Sequence, residues 1–146
     1  MLPEDLEGHV ALAASAGAPI ALGEHFRLHR QVAPWLASGA LDVVQPDVGR
    51  TGFVEGMRIL AAARAARLAM TPHMGSAFDV MQAATLHLAA CCDAHLPCEF
   101  QAGLAGRLGG AVRSDWSVSN GAFVVPDTPG LGVTVDETAL QPYVVV

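Results

Sequence analysis

Asp42-Val-Val-Gln-Pro-Asp47 is a short apolar run that contains two β-branched residues and ends on a carboxylate. Three other segments are likewise short, mainly apolar runs that end on an ionisable residue: Pro19-Ile-Ala-Leu-Gly-Glu24, Leu68-Ala-Met-Thr-Pro-His73 and Leu96-Pro-Cys-Glu99. Helix-like stretches fill the intervals, so the order of helix and strand repeats four times. Because the runs are continuously apolar rather than alternating, they predict parallel strands whose outer face is covered by helices.

The predicted elements make about four β/α units. The strands are predicted at Ile20–Gly23, Leu41–Gln45, Leu68–Thr71 and Pro97–Phe100, and the helices at Pro3–Ala16, Leu28–Ala37, Thr51–Arg67 and Ser76–Cys91. In the third helix, Val54, Met57, Leu60 and Ala61 share one face, which predicts its buried side. The chain has 146 residues, well short of the ~250 of a complete β/α barrel. The predicted fold is therefore an α/β protein built as half of a TIM-type barrel.

After Gln101 the alternation of predicted strands and helices ends, and glycine-rich and turn-forming stretches follow. Residues 1–101 are predicted to form the half barrel, and residues 102–146 an extended C-terminal tail that wraps over the barrel or docks on another domain. Phe123-Val-Val-Pro126 and Thr128–Asp136 predict short extended pieces around turns. The stretch Gly103–Gly110 is glycine-rich, but it lacks the Lys-Ser/Thr ending of a P-loop, which argues against a phosphate site.

The composition excludes several classes of function. The chain is 52% hydrophobic and 15% charged, with a net charge of −6, which indicates a packed domain rather than a disordered segment. All eight basic residues are Arg, so a lysine base within this chain is excluded, and no basic run indicates nucleic-acid binding. The first residues are acidic rather than signal-like, and the longest uncharged stretch is too short for a bilayer. The three cysteines are interpreted as buried, reduced thiols, and we expect a cytoplasmic protein without a membrane partner.

The ionisable residues at the four strand ends form the candidate site. The C-terminal ends of barrel strands surround one pocket, so Glu24, Asp47, His73 and Glu99 are expected at one rim. Removal of a proton alpha to a carboxylate needs a cation to neutralise the enediolate and a base to take the proton. Glu24 suits Mg²⁺, which prefers carboxylate oxygens. His73 suits the base, with Asp47 on the neighbouring strand to set its tautomer. Glu99 would hydrogen-bond the enediolate if it were protonated, which requires a raised pKa.

Several residues at the same rim have more than one interpretation. Asp47 is also placed to cap the helix that begins near Thr51. His25 and Gln45 are candidate substrate contacts, although a rim position without a role and simple packing explain them equally well. Arg50 is interpreted as a solvated loop charge rather than a ligand for a substrate carboxylate.

The segments resemble the enolase superfamily, within it the mandelate racemase and muconate lactonizing enzyme-like group that includes acid-sugar dehydratases. The resemblance is carried by Ile20–Glu24, Val44–Gly52, Thr71–His73, Leu86–Ala90, Glu99–Phe100 and Pro126–Val133. It implies that Glu24 is the third ligand of a catalytic Mg²⁺. It also implies that Asp47 and His73 form a His–Asp dyad on the sixth and seventh barrel strands, with Glu99 on the eighth.

The resemblance further implies that the chain corresponds to the C-terminal half of such an enzyme. The family's first two metal ligands, its lysine-containing motif and its N-terminal capping domain have no counterpart among these residues. The predicted function is Mg²⁺-dependent alpha-proton abstraction from a hydroxy-carboxylate in the full-length parent, leading to dehydration of a sugar acid. A racemase or epimerase of the same superfamily is one alternative, and a non-catalytic fragment or split-barrel subunit, inactive alone, is the other.

The expected partners follow from this interpretation. They are a small-molecule carboxylate substrate and either a separate N-terminal half or further copies of the chain. A half barrel has two open sheet edges, and open edges promote association.

Overall fold

Three short parallel strands form the centre of the structure, and a helix follows each of them. The computed structural model describes residues 1–75, 78–93, 95–104, 107–108 and 110–144. The first seven elements are α1 (Leu6–Ser15), β1 (Ala21–Leu22), α2 (His29–Ser38), β2 (Val43–Val44), α3 (Val48–Ala65), β3 (Ala69–Met70) and α4 (Asp79–Ala90). The strands are ordered β1-β2-β3 and are all parallel. The predicted α/β class is confirmed, whereas the half barrel stays a prediction.

The C-terminal part of the chain adds small elements. They are β4 (Val112–Ser114), β5 (Ser117–Ser119), β6 (Ala122–Val124), β7 (Val133–Val135) and α5 (Glu137–Leu140), with 3-10 turns at Ala102–Leu104 and Gln141–Tyr143. β4 pairs with β7 and β5 with β6, both antiparallel, and β4 and β7 lie against α4. The first predicted extended piece therefore overlaps β6, and the second contains β7. The glycine-rich stretch lies partly outside the described residues, and the boundary between residues 101 and 102 stays a prediction.

Local capping explains where the helices begin and end. The Asp5 side chain accepts a hydrogen bond from the Gly8 N–H at 2.9 Å at the start of α1, which satisfies one of the free donors of the first turn. Gly39 follows α2 with a φ of 74°, the left-handed conformation in which glycine commonly ends a helix. The helix predicted at Ser76–Cys91 is present as α4 from Asp79, and Ser76 lies outside the described residues.

The apolar core lies between the sheet and the helices. Val44 and Met70 are 0% and 1% exposed, and they form one cluster with Ile59, Leu60 and Leu88. Val44 and Met70 are paired across β2 and β3, so they point to the same side of the sheet. The opposite, more open side carries the paired residues Ala21, Val43 and Ala69.

The buried side of α3 differs from the predicted one. Of the four residues assigned to it, only Leu60 is buried, whereas Val54 is 66% exposed; the residues that α3 buries are Val48, Gly56, Ile59, Leu60 and Ala63. Gly56 lies against α4, where a Cβ would be 2.9 Å from the Leu88 Cδ2. Because glycine has no side chain, it does not count as a buried position in a hydrophobic pattern. The pattern therefore did not show that Gly56 faces α4, and the prediction assigned the wrong face of α3 to the core.

The predicted strand Pro97–Phe100 is also wrong, because the sheet of the described residues has three strands. The segment nevertheless lies beside the end of β3. The Thr71 hydroxyl donates to the Pro97 carbonyl at 3.0 Å, and the Met74 N–H donates to Glu99 Oε2 at 3.3 Å. Pro97 has no N–H to contribute to a strand ladder, and these side-chain bonds hold the segment in place of backbone pairing.

Within the described part of the chain, no helix combines the length and the apolar character needed to cross a membrane.

Candidate active site

The register of the sheet carries the candidate residues to one place. Val44 pairs with Met70, and three residues further along both strands Asp47 pairs with His73 in an isolated parallel bridge. The His73 N–H donates to the Pro46 carbonyl at 3.1 Å. Because the offset between the strands is unchanged, the two side chains at the strand ends become neighbours.

Gly23 brings the end of β1 close to β2. The Gln45 N–H donates to the Leu22 carbonyl at 2.9 Å, and Gly23 has a φ of 146°, a conformation that side chains rarely adopt. A Cβ at this position would lie 2.9 Å from the Gln45 nitrogen. Glu24 therefore follows a close backbone contact that only glycine allows.

Asp47 and His73 form a hydrogen-bonded dyad. His73 Nδ1 lies 2.8 Å from Asp47 Oδ2, and the other carboxylate oxygen of Asp47 accepts the Gly49 N–H at 2.8 Å. Asp47 is 4% exposed and is the N-cap of the first turn of α3, which is followed by a kink at Gly52. The capping interpretation is thus confirmed, and it does not compete with the dyad, because each carboxylate oxygen serves one of the two contacts. The cap fixes the carboxylate, which in turn orients the imidazole.

Glu24 lies on the other side of the same imidazole. Its Oε2 is 3.0 Å from His73 Nε2, and its Oε1 is 2.9 Å from His25 Nε2. The side chain of His73 is 23% exposed, and those of Glu24 and His25 are 45% and 51% exposed. A continuous row of contacts therefore runs from buried Asp47 through His73 and Glu24 to His25 at the surface.

The described residues do not form a Mg²⁺ site by themselves. Among them, no three His, Cys, Asp or Glu side chains converge as ligands. The two side chains in contact with the Glu24 carboxylate are imidazoles, whereas Mg²⁺ demands an octahedral set of oxygen ligands. Glu24 therefore offers a single carboxylate, and the described residues do not supply the further oxygen ligands that Mg²⁺ requires.

Neither Glu99 nor Arg50 belongs to the row of contacts from Asp47 to His25. The half-buried Glu99 accepts the Met74 N–H, so its carboxylate supports the backbone directly after His73. Arg50 is exposed in the first turn of α3, which agrees with its interpretation as a solvated charge.

A cavity of about 320 Å³ opens at the strand ends. Four of the sequence-predicted site residues line it: Glu24, His25, Gln45 and His73. His9 also lines it and was given no role by the sequence. His9 Nδ1 lies 2.7 Å from the Asp5 carbonyl oxygen, and its ring meets that of Trp35 edge-on, with centroids 5.2 Å apart. The packing of α1 on α2 places His9 here, and no local sequence signal indicates it.

The cysteine thiols are poor candidates for nucleophiles. Burial raises the pKa of Cys92 to about 11 and also raises the pKa of Cys98. Because the thiolate is the reactive form, both groups are inert near neutral pH. All three cysteines are free thiols, as the sequence predicts, but they are half-buried rather than buried.

The fold has clear counterparts among known proteins. The family described as "Enolase C-terminal domain-like" matches residues 1–139, and the chain belongs to this family. The predicted membership of the mandelate racemase and muconate lactonizing enzyme-like group of the enolase superfamily is confirmed.

Two curated relatives and one solved structure illustrate the similarity. The chain is 30% identical over 144 residues to a D-galactonate dehydratase of Pectobacterium atrosepticum, covering 94% of this chain and 37% of the relative. It is 28% identical over 153 residues to a D-galactarolactone cycloisomerase of Agrobacterium fabrum, covering 98% and 40%. A mandelate racemase/muconate lactonizing enzyme from Jannaschia sp. CCS1 superposes with a TM-score of 0.85 at 30% identity, covering all of this chain and 37% of that one. The chain thus spans about two fifths of the length of these proteins.

Proposed function

We propose that the chain carries the general base of a site that enolises a carboxylate, and that the reaction is the dehydration of a sugar acid. The observation that supports this most directly is the position of His73, with Nδ1 held by buried Asp47 and Nε2 directed to Glu24 at the cavity. The similarity to a D-galactonate dehydratase supports the substrate class.

His73 is proposed to act first as a base and then as an acid. With the Nδ1–H donated to Asp47, the Nε2 lone pair takes the proton from the carbon alpha to the substrate carboxylate. The C–H electron pair moves into the carboxylate and forms the enediolate, and Asp47 stabilises the imidazolium that results. When the enediolate collapses, the bond to the β-hydroxyl breaks, and the same imidazolium gives its proton to the departing hydroxide as water. The enol that remains tautomerises to a keto acid.

The other predicted residues have supporting roles in this proposal. His25 and Gln45 line the cavity and are proposed to bind substrate hydroxyl groups, and Glu99 to hydrogen-bond the enediolate. Enolase-superfamily enzymes use Mg²⁺ to stabilise such dianions. Mg²⁺ binding by Glu24 would need oxygen ligands in addition to the described residues. We further propose a cytoplasmic location and small hydroxy-carboxylates as ligands.

The contact between Glu24 and His73 favours a chain that is inactive by itself. At 3.0 Å, the carboxylate occupies the nitrogen that has to receive the proton. A substrate can reach Nε2 only after Glu24 moves away. Because the described residues also lack the further oxygen ligands that Mg²⁺ requires, we propose that turnover needs groups from a longer polypeptide or a second chain, which act together with these residues.

A second candidate is an isomerisation that starts with the same proton abstraction. The relative named as a D-galactarolactone cycloisomerase favours it. Both candidates need His73, and they differ in whether the β-hydroxyl leaves.

The test is a chimera in which residues 1–139 replace the matching segment of the D-galactonate dehydratase. The chimera is incubated with galactonate and Mg²⁺ in D₂O, and ¹H NMR follows exchange at the alpha carbon and formation of the keto acid. We expect both processes in the chimera, with both lost in His73→Asn and retained in His95→Asn, an exposed histidine remote from the site. Exchange that persists unchanged in His73→Asn would remove His73 from the mechanism, and exchange without loss of water would favour the isomerase.

A further inference from the structure

Two glycines enclose the Asp47 carboxylate. A Cβ at Gly49 would lie 3.1 Å from Asp47 Oδ1, and a Cβ at Gly75 would lie 3.2 Å from Asp47 Oδ2. The oxygen next to Gly75 is the one that His73 Nδ1 contacts. Gly75 also meets the imidazole, because its Cβ would be 3.2 Å from His73 Cε1 and 3.7 Å from Nδ1. The missing side chain of Gly75 therefore faces the hydrogen bond that joins the dyad.

Both members of the dyad are already held by other contacts, so a side chain at this position would compete with those contacts. Asp47 is held at Oδ1 by the Gly49 N–H at 2.8 Å and at its backbone by the bridge to His73. His73 is held by the Pro46 carbonyl at 3.1 Å and by Glu24 at 3.0 Å. A methyl group here would therefore displace the dyad or the turn that follows His73, since close-packed sites do not absorb extra atoms without strain.

We propose that Gly75 is a positioning residue, which sets the Asp47–His73 hydrogen bond by leaving its outer side free of any side chain. The proposal rests on the proposed function of the dyad as the base. Gly75 touches no substrate in this role. The carboxylate that accepts a hydrogen bond from a histidine base sets the tautomer of the imidazole and the direction of its free nitrogen. A substitution at Gly75 would therefore change proton transfer by changing the orientation of the His73 ring.

The experiment uses the chain labelled with ¹⁵N-histidine. The readout is the downfield Nδ1 proton of His73, identified by its loss in His73→Asn. Gly75→Ala should shift this resonance upfield or abolish it, as the hydrogen bond lengthens. Gly17→Ala is the matched control, because Gly17 is exposed and a Cβ there would meet nothing within 4 Å. A wild-type His73 resonance in Gly75→Ala would overturn the proposal, whether or not the chimera is active.

A double-mutant cycle covers the case in which Gly75→Ala folds poorly. Urea unfolding is measured for Gly75→Ala in the wild-type and Asp47→Ala backgrounds, since contacting residues show non-additive effects. If Gly75 acts on the dyad, the shift in urea midpoint is smaller, or folding is recovered, when the carboxylate is absent. An equal shift in the two backgrounds would show that Gly75 acts elsewhere.

Discussion

The Asp47 carboxylate contacts the Gly49 N–H and the His73 ring. Substitution by Ala and by Asn separates the contributions of these two contacts to stability. Asp47→Ala removes the cap of α3, which costs about 1 kcal/mol, and a charge-assisted hydrogen bond to His73, which costs about 2 kcal/mol more. Because Asp47 is 4% exposed, water replaces neither contact well. The expected loss in the free energy of unfolding is therefore about 3 kcal/mol. Asp47→Asn keeps an oxygen for the Gly49 N–H, since Asn and Asp cap equally well, and should lose roughly half as much.

The assay is urea unfolding followed by far-UV circular dichroism on the chain at neutral pH. Asp127→Ala, at an exposed position, is the control and should change the free energy of unfolding by less than about 0.5 kcal/mol. In the chimera, Asp47→Asn should also lower kcat strongly at unchanged KM. The amide would present an N–H to His73 Nδ1 and so favour the wrong tautomer.

Two results would refute this reasoning. Equal destabilisation by Asn and Ala would show that the cap contributes nothing measurable. A chimera with Asp47→Asn that keeps wild-type kcat would show that Asp47 does not orient the base, whatever it adds to stability.

Two further predictions concern residues of α3. The pKa of the Glu55 carboxyl is lowered from 4.5 to about 2. The largest cause is the hydrogen bond from the backbone N–H of His29, followed by the bonds from the His29 ring and from Arg58. A lowered pKa stabilises the fold above the unfolded value, so the advantage of the wild type over Glu55→Gln in urea midpoint should be complete above pH 4.5 and disappear as the pH falls to about 2; an advantage that does not change with pH would contradict it. On α3, Ile59→Ala should cost about 2–5 kcal/mol because Ile59 is fully buried, whereas Val54→Ala, at 66% exposure, should stay within about 0.5 kcal/mol; the reverse order in calorimetry would restore the buried side first predicted for α3.

The errors made from the sequence share one cause. The two errors are the buried face of α3 and the strand predicted at Pro97–Phe100. A pattern of apolar residues counts side chains, and each error involves a residue that lacks either a side chain or a backbone N–H. Gly56 lies at a helix contact without a side chain, and Pro97 lies beside a strand without an N–H. Gly56 allows a close helix contact because it has no side chain, and Pro97 does not join the sheet because it has no N–H. A count of hydrophobic side chains detects neither effect.

The sequence by itself determined the order of the three central strands and their helices, the absence of lysine from these 146 residues, and the ionisable residues that follow the three strands. These follow from local chemistry, because strand length, helix caps and residue type are written in neighbouring positions. Only the tertiary structure decided that Asp47 uses one oxygen for α3 and the other for His73, that Glu24 contacts the second imidazole nitrogen, and that His9 lines the same cavity. Those contacts join positions far apart in the chain, and they depend on the register of parallel strands and on helix packing, which no local pattern encodes.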